Sequence, residues 1–567
     1  MRTPALLIAL LLTANFAAGK SKISADLAKK SGTVTVLVSF KTDLDAAKDK
    51  KVKDKKAKVK NKFTATKIME MEIDAAELPG LAIDTDVNYV SPVRKVRPSL
   101  DYATAGIQLT DAVRSQWTGA GIGVAIIDSG VDQHTDLYRG SKSALVYQQS
   151  FLPTQSTNVQ DSYGHGTHIA GIIGGTGQVV KMVGGTRNLS GVAPAVNIIN
   201  MKVLDATGYG TDTQVIAAIE RVIALKATYN IRVANLSLGR PVYESYALDP
   251  LTIAVEKLWR NGIVVVVAAG NYGRDNSFGT KGYGTITSPA NHPLVITVGA
   301  TRTMNTPSPT DDQMASYSSK GPSAYDHIVK PDIVAPGNSV VSTVFTKSST
   351  MSVAYPQNIV PRSYYTSTTS TLDSWFYYRV SGTSIAAPMV SGAAALLIQK
   401  DPTLTPDQVK ARLMRTAAKV LPVFSTATDP GTGQTYDIQG DIFTVGAGYL
   451  DVQAALADTA KVAGAAVSPT AIIRDGHIYL SFANSALWGE SALWGESALW
   501  GEGIIYGASQ FLSGSSALWG ESALWGESTT QGYSALWGES ALWGESALWG
   551  ESVTANAANT VKALGDK

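Results

Sequence analysis

Residues 262–271 read GIVVVVAAGN. A continuous β-branched run, closed by Gly-Asn and lacking polar alternation, predicts a strand buried on both faces. Similar runs follow one another: GIGVAIID (121–128), VNIINMKVL (196–204), VANLSLG (233–239) and PLVITVGAT (293–301). Helical stretches such as TDTQVIAAIERVIALKA (211–227) separate them. This alternation predicts an α/β domain over residues 101–460, with a mostly parallel sheet and helices on both faces. In such sheets chemistry gathers at the carboxyl ends of the strands.

Working outward, the chain opens MRTPALLIALLLTANFAAGK, with a lone Arg2, an apolar run from Ala5 to Leu12 and small residues Ala17, Ala18 and Gly19. Residues 1–19 read as a secretory signal peptide, and the expected location is outside the cell or at its surface. The run is too short for an ordinary transmembrane helix, and no later segment has about 18 consecutive apolar residues, so no transmembrane segment is expected. Residues 20–100 combine strand-like GTVTVLVSF (32–40), KIMEMEI (67–73) and VNYVSPVRKVRP (87–98) around a charged stretch, which predicts a small α/β unit. In that stretch, residues 41–62, ten lysines interleave with four aspartates, as on a solvated helix face, and no aromatic residue is present to stack on bases. A net charge of +2 gives no reason to expect nucleic acid as a partner. The chain has no cysteine, which excludes disulfides, thiolate metal sites and a cysteine nucleophile.

Beyond residue 460 the composition changes. A linker is expected over 461–484, a repeat region over 485–552 and a short tail over 553–567. SALWGE occurs eight times in the repeat region. An even period places every Trp on one side of an extended chain, so an array of β character fits. A flexible tail and a secretion or anchoring signal are the other readings, and contact with a cell surface or matrix through the repeats goes with the first.

Three short stretches carry candidate chemistry. GIGVAIIDSGVD (121–132) ends a buried strand on Asp128, a carboxylate that needs a partner there. DSYGHGTHIAG (161–171) sets His165 between two glycines; His168, three residues on, is expected to be structural. In SGTSIAAP (381–388), Ser384 precedes an alanine-rich helix and reads either as a helix N-cap or as a nucleophile. The three together supply an acid, a base and a hydroxyl.

VAIIDSGVD, GHGTHIAG and SGTSIAAP resemble the signature motifs of the subtilisin-like serine proteases, the subtilase family. The resemblance extends through NIINMKVLDATGYG, ANLSLG, VVVAAGN, YSSKGPS, KPDIVAPG and VGAGYLDVQAAL, in order, across about residues 101–455. Ile385 stands where the family usually has Met, and Lys320 where Arg is commoner; neither is a catalytic group. The resemblance implies a subtilisin-like fold and a secreted serine endopeptidase of broad specificity, with Asp128, His165 and Ser384 as triad and Asn271 as oxyanion donor. It also implies that Ser237, Leu238 and Gly239, with Ala268, Ala269 and Gly270, bracket an extended protein or peptide substrate. Residues 20–100 would then be a propeptide acting as an intramolecular inhibitor, cut near VRPSLDYA (96–103). No cofactor is needed for the chemistry; structural calcium is allowed, since Asp136 matches a ligand position in part of the family, but no ligand set follows. The competing expectation is a catalytically inert scaffold that presents the Trp repeats.

Overall fold

A computed structural model describes residues 22–98, 106–481 and 565–566, with breaks at 25–26, 28–29, 94, 186, 278, 305, 307, 345, 367–372 and 475–476. The expected leader, the junction near residue 100 and the hexapeptide repeats lie outside the described residues.

The main sheet has eight strands. Its spatial order is Gln313–Met314, Ile296–Arg302, Val264–Ala268, Ile231–Leu236, Gly123–Asp128, Asn197–Lys202 and Leu145–Ser150, with Ile333–Asn338 also paired to Ile296–Arg302. Every pairing is parallel except that of Gln313–Met314. The opening valine run is one of its inner strands, buried along its whole length. From Gly123–Asp128 the chain crosses to Leu145–Ser150 and returns through Asn197–Lys202. It then continues on the other side at Ile231–Leu236. The reversal places the end of the first strand, Asp128, at a topological switch point, where open α/β sheets form their crevices.

The helices pack in two groups, Asp212–Tyr229 with Pro250–Arg260, and His165–Gly174 with Thr383–Lys400. Asp212–Tyr229 begins with a capping box between Thr211 and Gln214. Pro250–Arg260 begins on Asp249, whose carboxylate accepts from the Leu251 amide at 2.9 Å. Thr383–Lys400 is buried from Thr383 to Ile398 and packs on four strands. Its apolar character all round follows from that burial.

The N-terminal unit is a four-stranded antiparallel sheet in the order Lys58–Phe63, Ile68–Asp74, Thr33–Phe40, Val87–Pro92, with its own apolar core. The lysine-rich stretch is not one helix: it forms the helix Ala46–Asp54, turns at Lys56 (φ 55°) and continues as the edge strand Lys58–Phe63. Its lysines are held by acidic partners, including Lys51 to Asp84, Lys60 to Glu72 and Lys62 to Asp49. The unit docks on the main domain through Glu220, whose carboxylate accepts from the amides of Ala65 (3.1 Å) and Thr66 (2.6 Å).

One segment differs from expectation. Residues 461–481 are built into the domain rather than spanning it as a linker. Thr470–Arg474 and His477–Ser481 form a hairpin, and Ser468 joins a buried cluster of Asp332, Lys330 and Lys410. Ahead of Ser384 a second sheet forms from Val340–Thr343, Asp373–Val380 and Ile359–Pro361, with Asp373–Val380 between the other two.

Candidate active site

Asp128, His165 and Ser384 come together from a strand end and two helix starts. Asp128 Oδ1 lies 2.7 Å from His165 Nδ1, and His165 Nε2 lies 3.3 Å from Ser384 Oγ. All three side chains are buried. Asp128 Oδ1 also accepts from the Ser129 amide at 2.7 Å.

Backbone contact fixes the acid–base distance. A Cβ on Gly166 would lie 2.0 Å from the Gly130 carbonyl oxygen, so only glycine lets the helix carrying His165 seat against the loop after Asp128. Asp161, absent from the sequence-based site, ties the two together. Its carboxylate accepts from Ser129 Oγ (2.8 Å), the Gly164 amide (2.7 Å) and the Thr167 amide (2.8 Å), and Ser129 Oγ accepts from the Gly166 amide (2.9 Å). Burial raises the Asp161 carboxyl above its ordinary value although these donors pull the other way. Asp132, which accepts from the Asp161 amide, is pushed up to about 6 by burial and by the nearby Asp161 charge. Only the acidic first letter of DSYGHG hinted at this role.

Ser384 is not a helix cap. Gly382 occupies the N-cap position, and Ser384 is the second helical residue, its hydroxyl turned to His165. Its amide is among the free N–H groups of the helix start. Asn271 stands beside it: its side-chain oxygen accepts from the Thr383 amide (2.9 Å) and Thr383 Oγ1 (3.1 Å), leaving the NH₂ end as the donor. His168 instead sits 3.1 Å from the Tyr378 carbonyl oxygen, and burial pushes it down to about 3, which fits a structural role.

The two bracketing segments part company. Leu238–Gly239 pairs antiparallel with the strand Lys95–Pro98, which pairs on its other edge with Gly210–Thr211. Among the described residues Ala268–Gly270 does not join this ladder; its backbone is engaged by Val298, Thr287, Ser319 and Thr383. Gly210 was marked in the sequence only by its Gly-Tyr-Gly context. Ser237, grouped with the bracketing residues, donates its hydroxyl to the Ser384 carbonyl oxygen at 2.6 Å.

Asp136 does not fit a calcium ion. Its Oδ1 accepts from the Val179 amide (2.7 Å) and its Oδ2 from the Tyr377 hydroxyl (2.6 Å). A cation there would face two hydrogen-bond donors, whereas calcium requires a shell of oxygen acceptors. Among the described residues no group of three His, Asp or Glu side chains is placed to hold a metal.

With this geometry in view, comparison with known proteins defines the class. The profile of the Subtilase family (peptidase S8) matches residues 119–448, and the chain belongs to this family as a subtilisin-like serine endopeptidase. It is 35% identical over 370 residues to the serine protease AprX of Bacillus subtilis, covering 63% of this chain and 76% of that protein. It is 33% identical over 468 residues to subtilisin E of the same species, covering 80% of this chain and 100% of that protein. Fervidolysin from Fervidobacterium pennivorans shares the fold, with a TM-score of 0.57 at 24% identity, over 80% of this chain and 68% of that one. Among the described residues no helix is long and apolar enough to cross a membrane.

Proposed function

We propose that this chain is an exported endopeptidase that cleaves protein substrates through an acyl-enzyme on Ser384, with broad side-chain tolerance. The observation that carries the reading is the relay Asp128–His165–Ser384, at 2.7 and 3.3 Å. His165 Nε2 takes the Ser384 proton as Oγ attacks the scissile carbonyl, and Asp128 holds Nδ1–H and stabilises the imidazolium. The oxyanion that forms is received by the Ser384 amide and the Asn271 NH₂. His165 then gives its proton to the leaving amine, and water, activated by the same imidazole, releases the acyl group. No cofactor enters these steps.

Broad tolerance is supported by the edges Gly210–Thr211 and Leu238–Gly239, which bind an extended chain through its backbone. In the unprocessed chain that place is taken by Lys95–Pro98, which supports residues 20–100 as an intramolecular inhibitor. The test compares the full chain with its Ser384→Ala form by intact mass and casein hydrolysis. Loss of a segment ending near residue 100 and casein digestion are expected in the first alone. Loss of the subtilisin nucleophile costs about 2 × 10⁶ in kcat in that enzyme. Equal digestion by both forms would refute the role of Ser384.

A further inference from the structure

Residues 565–566, beyond the repeats, return to the catalytic domain and are buried in it. The Asp566 carboxylate receives Arg274 Nη2, the Ser316 amide and Ser316 Oγ, each at 2.7 Å. Its backbone pairs with the Asn338 side chain in both directions: the Asp566 amide donates to Asn338 Oδ1 (2.8 Å), and Asn338 Nδ2 donates to the Asp566 carbonyl (3.1 Å). The Asp566 side chain is 0% exposed and that of Arg274 6%. Arg274 also lies 3.1 Å from Asp429, so one guanidinium serves two carboxylates. Gly565 adds a steric requirement. Its φ is +63°, and a Cβ there would lie 2.2 Å from Ser381 Oγ and 2.6 Å from Asn338 Oδ1.

We infer that the domain carries a peptide-binding site for a Gly-Asp sequence, which this chain fills with its own residues 565–566. The site is built from donors that are costly to leave unmet in a buried place. Its fork of guanidinium, amide and hydroxyl suits a carboxylate. It favours glycine before the acid, since any side chain there would have to displace Ser381 and Asn338 and adopt a left-handed backbone. Ser381 lies three residues before Ser384, and Arg274 three after Asn271, so the occupant rests on the two loops that carry the proposed nucleophile and oxyanion donor.

The Ser384→Ala full chain separates this inference from the catalytic reading. Hydrogen exchange of the Ser316 amide is measured in it and in a form that also carries Gly565→Ala and Asp566→Ala. Exchange at least tenfold faster is expected in the second. The peptide Ala-Leu-Gly-Asp-Lys at millimolar concentration should restore protection, and Ala-Leu-Gly-Ala-Lys should not. Unchanged exchange, restoration by neither peptide, or restoration by both alike would overturn the site.

Discussion

The Ser237 hydroxyl donates to the carbonyl oxygen of Ser384 at 2.6 Å, in the position that a helical N–H would otherwise fill. Residue 388, four further along the helix, is proline and has no N–H to give. Ser237 is in turn held by Asn235 Nδ2 (2.9 Å), and Asn235 Oδ1 accepts from Ser391 (2.8 Å). The first turn of the helix is therefore held from outside, by a strand end. Ser237→Ala leaves a buried carbonyl unmet, at about 1–3 kcal/mol. We expect a lower urea midpoint and about tenfold lower kcat with KM little changed. Adding Pro388→Ala supplies the missing N–H and should recover much of the stability, so a double-mutant cycle reads out the coupling.

Asn271→Ala removes the NH₂ donor. The corresponding loss in subtilisin itself is about 10²–10³ in kcat. A similar fall is expected here, with KM within about threefold, since the interaction is made in the transition state. A change confined to KM would remove Asn271 from the oxyanion site.

Tyr377→Phe should lower the melting temperature by several degrees, because it leaves one oxygen of the buried Asp136 without its donor. If Asp136 is held by Tyr377 and not by a cation, chelator should not add to the fall caused by Tyr377→Phe. A large fall with EDTA would show a cation site elsewhere.

Asp132 gives a pH prediction. Its folded-state value, about 6, lies above the ordinary carboxylate value of 3.8. Between these values the folded state binds more protons than the unfolded one. Its contribution to stability is thus greatest below pH 3.8 and is lost as pH rises through 6. Asp132→Asn in the Ser384→Ala background should raise stability at pH 8 by about 1 kcal/mol, discounted for partial solvent screening. The gain should vanish near pH 4. A gain equal at both pH values would point to packing instead.

The sheet was legible because its strands are runs of Val and Ile, which have few other uses at that length. Asp128, His165 and Ser384 could be singled out because the three motifs around them resemble those of the subtilases; the strand end and the glycine-marked helix starts alone would not have joined them. What could not be read were partners brought from far along the chain. Nothing beside Asp136 announces Tyr377, and nothing in DSYGHG says that Asp161 will collect a hydroxyl and two amides. Ala268–Gly270 and Leu238–Gly239 look alike as small-residue strand ends. Only the third dimension shows that, among the described residues, Leu238–Gly239 pairs with Lys95–Pro98 and Ala268–Gly270 does not. The Lys56 turn escaped notice because charge periodicity alone does not distinguish a helix from an edge strand.

The bond between Tyr377 and Asp136 joins residues 241 positions apart. At about 5–20 residues per second of synthesis, roughly 10–50 s pass between the appearance of the acid and that of its donor. For that interval the support under the His165 helix is incomplete. Non-local closure of this kind is slow even in the finished chain. The N-terminal unit, made first and already holding local antiparallel pairs, is available before any of these long closures. Its contact with Glu220, on the helix Asp212–Tyr229, needs only residues made long before the segment bearing Ser384, so the N-terminal unit has its docking point while the last helix of the core is still to come.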